Sequence, residues 1–175
     1  MNKIIIIDTD VVSHFITANE ILSLTKIFPL PIKMLDKVFD ELARYPKKQQ
    51  FVQNLIDWKY LEVIPFPNEQ MEIYREYLYI KNKLFKGDGE SACMAVARFQ
   101  KNILASSNLK DIGQYCKMHN VPYLTTMDFL CYALLKGIFD ESRCDNFITN
   151  VLSQGSKLPV KSMKEYTCRE LDFIT

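Results

Sequence analysis

Residues 4–10 read Ile4-Ile5-Ile6-Ile7-Asp8-Thr9-Asp10. A run of β-branched residues with no polar face is the pattern of a strand buried on both sides, as in the centre of a parallel sheet. Asp8-Thr9-Asp10 ends the run, and a helix is expected to follow through about Leu24. Asp8 therefore stands at the mouth of a buried strand. Asp and Thr there are good helix caps, and they are also good metal ligands. The motif alone does not choose between the two roles.

Outward from that strand, the chain alternates short apolar runs with amphipathic stretches. A strand is expected at Ile32–Leu35, and Leu35, Val38, Phe39 and Leu42 follow at helical spacing until Pro46 closes the helix. A helix at Phe51–Trp58, a short strand at Leu61–Ile64 and a long helix from Glu69 to Phe85 come next. Gly87-Asp88-Gly89-Glu90 is a turn opening a helix to about Gln100, with Asp88 as its N-cap. Ile103–Ala105 reads as a second central strand, Asn108–His119 as a helix, Val121–Thr125 as a third strand, and Met127–Lys136 and Glu141–Leu152 as helices. Strands alternating with helices predict an α/β fold, a three-layer α/β/α sandwich around a central parallel sheet. We divide it into residues 1–140 as the main domain and 141–175 as a helical extension packed on it.

In such sheets ligands bind at the carboxyl ends of the strands. The polar clusters of this chain fall there: Asp8 and Asp10, then Ser106-Ser107-Asn108, then Thr125-Thr126 with Asp128. Glu41 lies on the rim of a packed helix stripe, where a solvated glutamate is the ordinary reading. Glu90 is less ordinary, because on a helical wheel it shares the face of Cys93, Met94 and Ala97. A carboxylate on an apolar face calls for a partner or a metal ion. Asp111 lies about one turn into its helix, near Asn108, which can cap that helix. Two carboxylates about 4 Å apart repel by about 4 kcal/mol at an effective dielectric near 20, and a cation offsets this. Hard oxygen ligands select Mg²⁺ or Mn²⁺.

The bulk numbers narrow the setting. Lys and Arg number 22 against 21 Asp and Glu, so no global field favours nucleic acid, and any such contact must be local. Candidate phosphate contacts are Lys81, Lys83, Lys86 and Lys110. Tyr74, Tyr77 and Tyr79 are candidates for stacking, although Tyr74 and Tyr77 are at packing distance along a helix. The five cysteines, odd in number and without a Cys-x-x-Cys pair, predict free thiols in a reducing cytosol rather than a disulfide framework. Only two histidines are present, His14 and His119, which does not support a zinc site of the usual spacing. No apolar run is long enough for a signal peptide or a membrane span, so the chain reads as soluble and cytoplasmic.

Taken together, Ile4–Phe15, Lys37–Leu42, Gly87–Ala97 and Ile103–Leu130 resemble, in order, the motifs of the PIN-domain family, which includes the toxin half of many bacterial toxin–antitoxin pairs. The resemblance implies a parallel sheet between helices and metal-dependent cleavage of RNA by three or four acids. It implies Asp8 as the first acid, with Asp10 where the family often has Asn. Glu41 would be the second acid, and Glu90, preceded by Asp88, the third. The fourth departs from the pattern: Ser107 and Asn108 stand where many members carry aspartate, leaving Asp111 or Asp128 as substitutes. The expected catalytic set is Asp8, Glu41, Glu90 and Asp111, with Asp8, Glu90 and Asp111 on an Mg²⁺ or Mn²⁺ ion. The resemblance also implies an antitoxin-like protein partner and a homodimer. Two rivals stand beside it. One is a non-catalytic PIN-fold module that binds RNA or protein. The other is a haloacid-dehalogenase-like phosphatase with Asp8 as nucleophile, Asp10 as acid and Ser106 downstream. Against the latter, Thr125-Thr126-Met127-Asp128 lacks the required acidic pair.

Overall fold

The computed structural model describes residues 3–84 and 86–174. β1 (Ile5–Ile7) is wholly buried, as an all-apolar strand must be when helices cover both faces of its sheet. β2 (Ile32–Leu35) and β4 (Ile103–Ala105) pair with it on either side, and β3 (Glu62–Ile64) and β5 (Tyr123–Leu124) lie outside them. The five strands run parallel in the order β3-β2-β1-β4-β5. Ile7 stands opposite both Met34 and Ala105, so the three central strands end in step. The chain first builds β2 and β3 on one side of β1 and then crosses to build β4 and β5 on the other. That makes the β1/β4 boundary the switch point, the place where sheets of this kind bind ligands beyond the strand ends.

Helices flank the sheet. α1 (Thr9–Thr17) and α2 (Ile21–Ile27) pack with α8 (Thr126–Leu135) and α9 (Glu141–Ser153). α5 (Met71–Lys83), α6 (Asp88–Phe99) and α7 (Leu109–His119) form a second group, and α3 (Asp36–Glu41) touches both α1 and α6. α4 (Pro46–Asp57) packs against α1. Phe15 of α1 meets Phe129 of α8 and Phe147 of α9 edge-on, with ring centres 5.6 and 4.9 Å apart. α9 thus shares the core that holds α1 in place.

Several sequence expectations change here. Pro46 opens α4 rather than closing the helix before it, because proline's missing N–H is harmless in a first turn. The long helix expected from Glu69 is described over Met71–Lys83, and its expected end at Phe85 lies outside the described residues. Asp88 is the first residue of α6 and not its N-cap, a place taken by Gly87. Free thiols are found for three of the five cysteines, but Cys131 of α8 and Cys168 in the tail form a disulfide that the sequence reading did not expect. The odd count hid one pair and three buried free thiols, Cys93, Cys116 and Cys144. The pairing could not be seen in the sequence because the partners lie 37 residues apart with no motif linking them. No described helix is long and apolar enough to cross a membrane.

The tail after α9 is held by side chains rather than regular structure. The Met163 N–H donates to Asp145 Oδ1 at 2.7 Å, and Arg169 donates to both oxygens of Asp128 at 2.8 and 2.7 Å.

Candidate active site

Asp8 caps α1. Its Oδ1 accepts from the Thr9 N–H at 2.8 Å, while its own N–H donates to the Ala105 carbonyl at 2.9 Å. The residue is therefore fixed between β1 and β4 at the switch point, with only 5% of its surface exposed. Capping and a place in the acidic cluster prove compatible: one oxygen caps, and the carboxylate still faces the other acids. Asp10, two residues on, is held by more donors. Its Oδ1 accepts from the Val11 N–H at 2.6 Å, and its Oδ2 accepts from the Ser107 N–H at 2.7 Å and the Ser106 hydroxyl at 3.2 Å.

Glu41 ends α3, and its Oε1 accepts from the Gly89 N–H at 2.8 Å, in the first turn of α6. An amide at a helix start is a natural place for a carboxylate, since its N–H has no partner within the helix. A glycine is needed there: a β-carbon on Gly89 would stand 2.8 Å from Glu41 Oε2 and 3.1 Å from the buried Val38 side chain. Sequence reasoning passed over Gly89. The only signal was a glycine wedged between two acids in a helical first turn.

The electrostatics show which acids gather. Burial pushes the Asp8 carboxyl well above its ordinary range, the neighbouring Asp10 charge adds to this, and Glu90 and Glu41 add more, against the opposing Thr9 N–H. Burial also raises Asp10, opposed by its hydrogen bonds from Ser107, Val11 and Ser106. Glu90 is pushed up to about 7, by burial first and then by Asp111, with Asp10 and Glu41 adding and Lys86 opposing. The Cys93 thiol, buried one turn after Glu90, is raised by burial and then by Asp8, Glu41, Asp10 and Glu90. Asp8, Asp10, Glu90 and Cys93 thus stand within electrostatic reach of one another at one end of the sheet, with the Glu41 charge acting on Asp8, Glu90 and Cys93.

Of the two residues offered for the fourth position, Asp111 lies beside Glu90 and Asp128 does not. Asp111 sits at the rim, where Lys86 donates to its Oδ1 at 2.6 Å and the Asn108 amide donates to its other oxygen. The Lys86 bond holds its carboxyl below the usual range, with burial opposing. Asn108 precedes α7 but makes no side-chain cap; it orients Asp111 instead. Asp128 is elsewhere employed. It closes a capping box with Thr125 at the start of α8, is 1% exposed, and neutralises Arg169. Asp88 is also removed from the cluster: it binds Lys81, Tyr77 and Lys37 on the α5 side. Of the other polar residues near the strand ends, Asp10 and Asn108 therefore lie among the acids, while Asp88 and Asp128 are engaged elsewhere.

A second layer supports the loop after β4. The Ser107 hydroxyl bonds Thr126 Oγ1 at 2.6 Å and accepts from the Thr126 N–H at 2.8 Å. His14 Nδ1 meets the same Thr126 hydroxyl at 2.8 Å, and burial lowers that imidazole to about 4, so it stays neutral. No sequence signal linked His14 to Thr126, because the contact joins residues 112 positions apart.

The donor chemistry suits a hard divalent cation: crowded carboxylates, raised proton affinities, and no imidazole or thiolate on offer. As the side chains stand, no three His, Cys, Asp or Glu among the described residues are close enough to hold an ion. The set fits in kind and charge but is not gathered to ligand distance.

No family model matches this chain, and no curated protein matches it. Among solved structures, it is similar to a chain of VapBC2 from Rickettsia felis bound to a DNA fragment from their promoter. The identity is 20%, the TM-score 0.48, and the match covers 70% of this chain and 98% of that one.

Proposed function

We propose that this protein is a PIN-type, metal-dependent ribonuclease whose site is Asp8, Glu41, Glu90 and Asp111, supported by Asp10. The observation that carries this reading is the burial of several carboxylates within reach of one another at the β1/β4 switch point: burial first, and then neighbouring acids, push both Asp8 and Glu90 above the ordinary carboxyl range. Isolated carboxylates do not gather in a half-buried crevice without a counter-charge. Asp8, Glu90 and Asp111 would hold an Mg²⁺ or Mn²⁺ ion. When bound, the ion supplies polarisation of the scissile phosphate and activation of the attacking water.

The chain's own residues do the rest. Asp10, fixed by three donors, adds negative charge beside Asp8 without moving. The Gly89 N–H holds Glu41 in register with the start of α6. Burial and then Asp111 push Glu90 up to about 7 without an ion, and a bound cation would offset both and keep it a carboxylate. Lys86 screens Asp111 and offers a cation to a phosphate oxygen at the rim.

One observation favours the second reading, a binding module without turnover: the described acids do not yet converge to ligand distance. The test is cleavage of a labelled mixed-sequence RNA in Mn²⁺, in Mg²⁺ and in EDTA, with Asp8→Asn and Glu90→Gln alongside. Cleavage that needs metal and is lost in both variants supports the nuclease. Intact RNA under every condition moves the reading to the binding module.

A further inference from the structure

A groove of about 610 Å³ opens between α5 and α7 and ends against the acidic cluster. Its volume falls in the range of small-molecule sites, roughly 300–1,000 Å³. Lys86 and Asp111 line its inner end. They are the same two side chains whose charges act on Glu90, so the groove begins where the acids stop.

Its floor is rigid. Glu76 Oε1 accepts from Arg98 at 2.6 Å and from the Tyr115 hydroxyl at 2.7 Å, joining α5, α6 and α7. Its walls are available. Tyr79 of α5 is 51% exposed and Met118 of α7 is 65% exposed. Lys110, Gln114 and Met118 follow at four-residue spacing on one face of α7. Lys110 makes no ion pair among the described residues. An open aromatic ring, a free cation and a carboxamide on a fixed floor are the elements that bind a single-stranded nucleotide. The ring takes the base, the cation takes the phosphate, and the amide can read a base edge.

We infer that this α5/α7 groove is a nucleotide subsite, which seats a base of single-stranded RNA on Tyr79 and its phosphate on Lys110, next to the scissile bond. The inference rests on the ribonuclease reading for its substrate class. Unlike that reading, it predicts binding without metal.

The test is fluorescence anisotropy with a fluorescein-labelled single-stranded RNA of about ten nucleotides, in EDTA so that no cleavage contributes. Tyr79→Ala is expected to weaken binding about tenfold, the loss of one base–aromatic stack. Tyr79→Phe, which keeps the ring, should bind as the wild type does. Lys110→Ala should flatten the dependence of log Kd on log salt by about 0.7, one phosphate contact to a single strand. Both alanine sites are solvent-exposed, so thermal melts should overlay the wild type. The subsite is overturned if the wild type does not bind this RNA, or if Tyr79→Ala and Lys110→Ala bind like it. The two claims part cleanly. Tyr79-dependent binding with no cleavage in any metal keeps the groove and removes the nuclease. Metal-dependent cleavage with unaltered binding in both variants does the reverse.

Discussion

The backbone N–H of Ser107 donates to Asp10 Oδ2 at 2.7 Å, across the gap between the ends of β4 and β1. Where the family resemblance implied a fourth acid, the chain uses a residue that grips another acid. The Ser107 hydroxyl, facing the other way, ties Thr126 at the start of α8. Ser107→Ala keeps the backbone bond and loses the hydroxyl link, leaving the Thr126 N–H short of its acceptor. The expected loss of stability is about 1–2 kcal/mol, read from urea denaturation. A denaturation midpoint matching the wild type would show that the link carries no energy.

Glu41 and Gly89 provide a more local handle. Gly89→Ala puts a methyl 2.8 Å from Glu41 Oε2, and the carboxylate is the mobile partner. RNA cleavage should fall at least tenfold, while stability drops by only about 1–2 kcal/mol. Equal losses in Gly89→Ala and Gly89→Ser, with no effect of Glu41→Gln, would detach this contact from function.

Glu90 predicts a pH dependence of stability in the absence of divalent ions. Its carboxyl is raised from 4.5 to about 7 in the folded protein. Below the lower value both states hold the proton, and Glu90 contributes nothing. Between the two values the unfolded chain gives up a proton that the folded chain keeps, so stability falls as pH rises and the loss is complete above about 7. Glu90→Gln escapes that decline. Its Tm should exceed that of the wild type at pH about 8 and converge with it near pH about 4.5. A gap that does not change with pH would rule out this titration as the cause.

The tail clamp is testable by chemistry as well as mutation. Non-reducing denaturation should expose the three free thiols of Cys93, Cys116 and Cys144, and reduction should add the Cys131 and Cys168 pair. A bridge across 37 residues restrains the unfolded chain by about 3–4 kcal/mol on the loop-entropy account, so reductant should lower the Tm and Cys168→Ser should remove that sensitivity. A full count of thiols before reduction would refute the pairing.

Asp128→Ala separates structure from catalysis. It strands the Arg169 charge and opens the capping box of α8, costing roughly 2–3 kcal/mol, since Arg169 keeps some access to water. At a temperature where the variant is folded, its cleavage rate should match the wild type. A rate that collapses without a change in stability would return Asp128 to the site.

The isoleucine strand, the alternation that builds a parallel sheet, and the placing of Asp8 and Asp10 at its carboxyl end were legible in the residues themselves, whereas Glu41 and Glu90 joined them only through the family resemblance. Hydrophobic periodicity and strand–helix order are local signals, and they say which way a side chain faces. The partner it meets there is a different matter. Asp88, Asp111 and Asp128 look alike as sequence, each an acid near a helix start. Tertiary structure sent Asp88 to Lys81 and Tyr77, Asp128 to Arg169, and Asp111 to the side of Glu90. The same holds for Cys131 with Cys168, for His14 with Thr126, and for the Gly89 amide under Glu41. Most of these contacts join residues more than twenty positions apart, and only the packing of whole helices against one sheet decides which of them meet.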